Sequence, residues 1–385
     1  MVEQNKIRIM RIISRMNVGG PAVQIAGLMR GLNTDEFVQR LYTGDCESDE
    51  ADYLDLVAHD LQVFRIKNLG RRVSPLSDIR ALLSLIVAIR RFKPHIIHTH
   101  TSKAGLLGRI ASILSLHQSI RVHTFHGHLL NGYFGNFYKL ILIYVERILA
   151  LMTHKLLAVG EAVRDDLLNE NIGNSSKFEL MPPGIKIGEL PQKSKALNAL
   201  GLDGERIQCA FIGRVTQIKR PDRFLDVVKE IKTRNLEINF FIAGDGEKMK
   251  NCYKLIQSED LPVTILGWQA NIERILAAAD MVLLTSDNEG MPVSLIQAGM
   301  AGLPVVATNV GSVSEVVLHN ATGIITSLET VAIADAVEKL LTNRNLRKEY
   351  GVAAQEFTHR TFSVQILIRR HEDLYRKLFT NQATF

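Results

Sequence analysis

A chain of 385 residues is longer than one hydrophobic core ordinarily organises, roughly 250–300 residues, so two domains are expected. Its 46% hydrophobic and 22% charged residues are those of an ordinary globular protein and exclude collagen-like, coiled-coil and disordered classes. The formal net charge of +6, concentrated before Gly184, admits three readings: an anionic membrane surface, nucleic acid, or a solvated basic face.

In chain order, Met1–Lys6 carries an acidic residue and leads into a short apolar run, unlike a signal peptide, so secretion is not expected. Residues 7–13 alternate like a strand, and residues 21–32 place Ile25, Leu28, Met29 and Leu32 at helical spacing. A helix is expected over 77–92, with Ile79, Leu82, Leu83, Ile86 and Ile89 on one face; Pro94 stops it and residues 95–98 form the next strand. Strand 120–124, helix 136–152, strand 154–159 and helix 160–170 continue the alternation. The most apolar stretch, Leu140–Leu151, is interrupted by Glu146 and Arg147 and falls short of the roughly 18 residues of a membrane span.

The rhythm breaks at Met181-Pro182-Pro183-Gly184, and the polar stretch to Gly204 has no clear periodicity. The boundary is placed there, giving an N-terminal domain over 1–184 and a C-terminal domain over 185–361. A second series of strands is expected near 207–212, 237–243, 262–267, 281–285, 304–307 and 323–326. Each half reads as α/β and doubly wound, with parallel strands covered by helices, so functional residues belong in the loops after strands.

Cys46, Cys209 and Cys252 are too scattered for a disulfide framework or a zinc site, and a reducing cytoplasm is expected. The cations Arg71, Arg72, Arg90, Arg91, Lys93, Lys139, Arg147 and Lys155 lie beside apolar helices. Peripheral contact with an anionic membrane at its inner face, through these cations and the apolar residues 129–151, is therefore weighed against a plain solvated face. Aromatic residues make up 6% and are not interleaved with these cations, so nucleic acid is not an expected partner.

Three loops carry chemistry. Gly19-Gly20-Pro21 joins a strand to a helix and offers unpaired backbone N–H groups to a phosphate, or is simply a tight turn. It lacks the full spacing of a dinucleotide fingerprint. Arg214 and Lys219, five residues apart after strand 207–212, can straddle a diphosphate and neutralise it without metal, or form a solvated basic loop. The absence of an Asp-x-Asp pair disfavours metal-assisted phosphate handling. Finally, Glu289 sits in a turn, Pro292 starts a helix, and Gln297 follows eight residues after Glu289, just over two helical turns on.

This last stretch resembles the Glu-x7-Glu signature of the large retaining glycosyltransferase family of GT-B fold, family 4. The resemblance extends over the chain through Gly19-Gly20-Pro21, Pro94 to Gly105, Val122 to Gly127, Gly213-Arg214 with Lys219, Ala243 to Gly246 and Leu266-Gly267-Trp268. It implies two Rossmann-like domains facing across a cleft, the first binding the acceptor and joined by a helix near 362–385, the second binding the nucleotide sugar. It further implies that Arg214 and Lys219 hold the diphosphate and that Glu289 meets the donor sugar. Gly290, Met291, Pro292 and Val293 would line the sugar pocket, and Gly267 and Trp268 would lie beside the base. His126 would project toward donor and acceptor, with Thr101 and Lys103 on the acceptor side.

Most of the 12 histidines, His95, His98 and His100 included, are expected to serve structure. Gln297 replaces the family's second glutamate; an amide still accepts from a ribose hydroxyl, with less charge assistance. The implied activity is retaining transfer of a hexosyl or N-acetylhexosaminyl group from a nucleotide sugar, on family frequency a UDP-sugar. The acceptor would be lipid-linked or a saccharide, in polysaccharide, lipopolysaccharide or glycolipid synthesis, with no cofactor and no metal. A GT-B sugar-nucleotide epimerase and a weakly catalytic sugar-nucleotide-binding protein are the alternatives.

Overall fold

The computed structural model describes residues 6–48, 50–127 and 136–382. The chain divides into two compact units, one running to Gly184 and resuming at Val364, the other spanning Ile185–Ser363.

Among the described residues the first unit holds seven strands: β1 (Ile7–Arg15), β2 (Phe37–Gly44), β3 (Val63–Arg65), β4 (Ile96–His100), β5 (Ile120–Phe125), β6 (Lys155–Ala158) and β7 (Phe178–Leu180). They pair in parallel in the order β3-β2-β1-β4-β5-β6-β7. Ile9, Met10, Ile12 and Ile13 of β1 are all buried because helices cover both faces of the sheet. On one face the C-terminal helix Val364–Gln382 puts Leu367, Leu374 and Tyr375 against Ile9, Leu28, Ile96 and Val122.

The second unit holds six strands among the described residues: β8 (Ile207–Ile212), β9 (Ile238–Ala243), β10 (Val263–Gly267), β11 (Met281–Leu284), β12 (Val305–Thr308) and β13 (Gly323–Thr326). Their order is β10-β9-β8-β11-β12-β13, again parallel. In each sheet the order reverses at the first strand, β1 between β2 and β4, and β8 between β9 and β11. Such a reversal opens a crevice beyond the strand ends where ligands bind.

The structure differs from the pattern reading in three places. Helix Pro75–Phe92 buries Ala81, Leu85, Ile89 and Phe92, while Ile79 and Leu83 are exposed. Ile89 is buried, and Leu82 and Ile86 pack partly buried against the same core, so the inward face is the expected one rotated toward Ala81 and Leu85. The stretch after Gly184 does contain a helix, Lys193–Leu200, which buries only Ala196 and Leu197 and therefore shows no period. Strands β2, β3 and β7 and helix Ser102–Leu114 were not expected; β3 and β7 are three residues each, too short to display alternation.

Helix Asn136–Leu151 turns Ile143, Leu149 and Ala150 inward and leaves Leu140, Ile141, Tyr144, Ile148 and Leu151 exposed. Glu146, which interrupts the apolar run, is buried against Arg109, its two oxygens 2.9 and 2.8 Å from Nη2. The start of the apolar segment expected over 129–151 lies outside the described residues. Among the described residues no helix is long and apolar enough to cross a membrane.

Candidate functional site

In the second unit the loops after β8 and β11 meet where the strand order reverses, and the strand ends of β9 and β10 are joined to the β8 loop in turn by backbone hydrogen bonds. The backbone between β8 and β9 fits only because glycine is used. Gly213 N–H donates to Ala243 O at 3.1 Å, and a Cβ on Gly244 would lie 1.8 Å from Gly213 O. Gly244 N–H in turn donates to Gly267 O at 2.8 Å, which carries the Gly267-Trp268 turn to the same edge; Trp268 is half-buried there.

Lys219 and Glu289 meet directly. Lys219 Nζ donates to Glu289 Oε1 at 2.5 Å, and Ser286 Oγ donates to the same oxygen at 2.5 Å. Among the described residues Oε2 has no hydrogen bond, so the carboxylate is anchored by one oxygen and free to accept through the other. Both side chains are largely sheltered, at 18% and 8% exposure, which strengthens their attraction relative to a surface pair.

The two loops are latched behind this pair. Arg223 Nη1 donates to Thr285 O and its Nη2 to Asp287 Oδ1, both at 2.7 Å. Thr285 Oγ1 donates toward Lys219 O and Arg220 O, and Asp287 N–H to Ile218 O at 2.9 Å. Arg220 holds Asp287 at 3.1 Å through Nη1 and Asp222 through Nε and Nη2. Arg214, at the start of the loop, is exposed and makes no side-chain ion pair among the described residues.

Gly290, Met291, Pro292 and Val293 lead from Glu289 into helix Val293–Met300, with Leu295 N–H donating to Pro292 O at 3.0 Å. Gln297 sits on this helix, half-buried, its amide without a hydrogen bond among the described residues. Sequence reasoning missed Ser286, Arg220, Arg223 and Asp287. The signal was the spacing of Arg220 and Arg223, one helical turn apart at the mouth of helix Pro221–Thr233.

The first unit has its own cluster at the ends of β1, β4 and β5. Gly19 and Gly20 start helix Gly20–Gly31, and Ser14 Oγ lies 2.8 Å from Thr101 Oγ1 and accepts from Ala104 N–H at 3.0 Å. Thr101 thereby takes a left-handed φ of 65°, a strained conformation for a β-branched residue. Lys103 is spent locally: Nζ lies 2.7 Å from Asp78 Oδ1 and donates to Asn68 O and Arg72 O.

His126 follows β5, and its Nε2 lies 3.0 Å from His100 Nδ1. Burial pushes the His126 imidazole down to about 4, so it is neutral near pH 7. His98, His100, His123 and His371 are buried around it, and desolvation holds each below the ordinary histidine value of 6.5.

Comparison with known proteins bears on both units. The Glycosyltransferase Family 4 model matches residues 18–189 and the Glycosyl transferases group 1 model matches residues 192–357. The Escherichia coli UDP-Gal:alpha-D-GlcNAc-diphosphoundecaprenol alpha-1,3-galactosyltransferase is 30% identical over 73% of this chain and 74% of its own. Among solved structures, sucrose-phosphate synthase from Thermosynechococcus elongatus superposes with a TM-score of 0.83 at 16% identity, covering 97% of this chain and 100% of its own. Anabaena HepE in complex with UDP-glucose gives 0.80 at 19% identity, with 96% and 100% covered. The two matched halves, their two parallel Rossmann-like sheets and this relative together make the chain a GT-B-fold member of the group 1 and family 4 glycosyltransferases.

Proposed function

We propose that the chain transfers a hexosyl or N-acetylhexosaminyl group from a UDP-sugar to a lipid-linked or saccharide acceptor with retention of configuration, in cell-surface polysaccharide or glycolipid synthesis. The observation that carries this reading is the Lys219–Glu289 pair at the strand-order reversal, with one carboxylate oxygen left to accept. A cation five residues from the exposed Arg214 suits a diphosphate, and the free Glu289 oxygen suits a sugar hydroxyl. The substrates named for the Escherichia coli relative and the UDP-glucose bound to HepE support the nucleotide and the kind of acceptor.

In the proposed step the bond from the anomeric carbon to the diphosphate oxygen breaks as the acceptor oxygen attacks the same face. The leaving diphosphate takes the acceptor's proton and departs as UDP. Arg214 and Lys219 neutralise the charge that develops on it, so the reading requires no cofactor and no metal. Gln297 accepts from the ribose, and Trp268 and Gly267 adjoin the base; the roles of Gly19, Gly20 and His126 toward the donor are those that the family resemblance implies. Thr101 belongs to the acceptor side; the local engagement of Lys103 favours a supporting role for that residue.

Peripheral contact with a membrane through the first unit is part of the same proposal. It is supported by the exposed apolar residues of helices Pro75–Phe92 and Asn136–Leu151.

The test is a panel of UDP-, GDP- and ADP-sugars incubated with polyprenyl-diphosphate-linked sugar acceptors, with product anomers assigned by NMR coupling constants. A UDP-sugar giving the α-configured product of an α-donor is expected. Epimerised nucleotide sugar, or donor binding with no transfer to any acceptor, would overturn the reading.

A further inference from the structure

The histidines of the first unit form a connected set whose hydrogen bonds fix where the protons sit. Arg11 Nη1 lies 3.3 Å from His98 Nδ1, and a guanidinium can only donate, so that nitrogen carries the lone pair. Tyr375 OH, 2.6 Å from the same nitrogen, is a second donor, and His98 Nε2–H is left to donate to Thr124 Oγ1 at 2.7 Å. His371 Nδ1 is 2.9 Å from Leu367 O and must donate to it. His100 stacks on His98 with ring centroids 4.2 Å apart.

His100 Nε2 is buried and has no partner among the described residues. A buried N–H with nothing to accept it is rarer than a buried lone pair left unmatched. Arg11 Nη2, also buried and unpartnered, adds a donor and not an acceptor to the cluster. The lone pair therefore belongs on His100 Nε2 and the proton on Nδ1, from which it is donated to His126 Nε2.

We propose that His100 is a positioning residue that keeps the His126 proton on Nδ1, so that the loop after β5 presents an N–H donor, and no base, to an oxygen of the transferred sugar. The inference rests on the reading that His126 meets the sugar. It assigns His126 the work of a hydrogen-bond donor, which suits a displacement in which the leaving phosphate takes the acceptor's proton. Burial keeps the imidazoles in the neutral form that this arrangement needs: His98, His123, His126 and Arg11 surround His100 and disfavour a second proton on it.

The test is the long-range 15N–1H spectrum of histidine-labelled protein at pH 7.5, with the His126 signals identified by their loss in His126→Ala. Protonated Nδ1 and unprotonated Nε2 are expected. In His100→Leu the proton should move toward Nε2 and kcat should fall about tenfold with KM for the nucleotide sugar nearly unchanged. His100→Asn, whose amide nitrogen can stand where Nδ1 stands, should restore both. A wild-type His126 protonated on Nε2 overturns the assignment without any variant having to fold, as does a soluble His100→Leu with unchanged tautomer and kcat. Wild-type turnover in His126→Ala overturns instead the sugar contact on which the inference rests, whatever the tautomer.

Discussion

At the scale of single residues the two proposed clamp cations are not equivalent, although both stand in one loop. Arg214 is exposed and has no ion pair among the described residues, so Arg214→Ala should leave the melting temperature where it was, as surface substitutions do. Lys219 neutralises a carboxylate at 8% exposure, and Lys219→Ala leaves Glu289 with Ser286 alone. A loss of about 1–3 kcal/mol of stability is expected. Both variants should lose about a hundredfold or more in kcat, the effect of removing charge stabilisation from the leaving group. Differential scanning calorimetry and initial rates on the two purified variants check this, and near-normal turnover in either removes that residue from the clamp. Lys219 and Glu289 were legible in the sequence because strand ends locate binding loops. Ser286 and Arg223 were not, because a serine three residues before a glutamate and an arginine on a helix are too common to single out before the fold brings them together.

Among elements, long strands and long helices were legible where one period dominated. Strands at 207–212 and 323–326 were read with the bounds that they have. Helix Pro75–Phe92 was read correctly at Ile89, and at Leu82 and Ile86, which pack against the core, but not at Ile79 and Leu83, because the helix is apolar over a wide arc and only packing chooses which edge of it turns outward. His95, His98 and His100 at β4 were read as structural, and the consequence, together with the buried His123 of β5 and His371, is a pH dependence. Burial, with the Arg11 charge adding to it, pushes His371 down to about 3, and burial first of all holds His98, His100 and His123 well below 6.5. These groups stay neutral in the fold but take protons once unfolded, so their contribution is complete above pH 6.5 and is lost as pH falls toward the folded values. Each costs about 1.4 kcal/mol per pH unit across that window. Hydrogen exchange read by mass spectrometry should show β4, β5 and the helix from Val364 losing protection between pH 6.5 and 4.5 before β8 and β11 do. Simultaneous loss in both units would show that the histidines do not set the acid limit.

For the whole molecule, the question is how a chain with no membrane-crossing helix among its described residues would meet a lipid-linked acceptor. The basic excess is less available than its count suggests. Arg71 and Arg72 lie beside Glu50 and Glu47, Lys139 lies 4.0 Å from Glu170, and Lys155 lies 3.4 Å from Glu179. The apolar side chains are more exposed than expected. Leu76, Ile79, Leu83 and Val87 recur at helical spacing on Pro75–Phe92, with Leu76 at 73%, and Leu140, Tyr144, Ile148 and Leu151 do so on Asn136–Leu151. Helix Ser102–Leu114 packs against both of these helices. Exposed surface pairs are worth little, so an anionic surface can still recruit these cations at about 1 kcal/mol each, while apolar insertion is insensitive to salt. Flotation with anionic liposomes should therefore weaken in high salt but not vanish. Leu76→Glu with Leu83→Glu should abolish what remains, since both side chains are already in water and their replacement leaves the core intact. Active protein that floats with neither anionic nor neutral liposomes would make the acceptor a soluble saccharide, and the apolar stripes would then need another explanation than a bilayer.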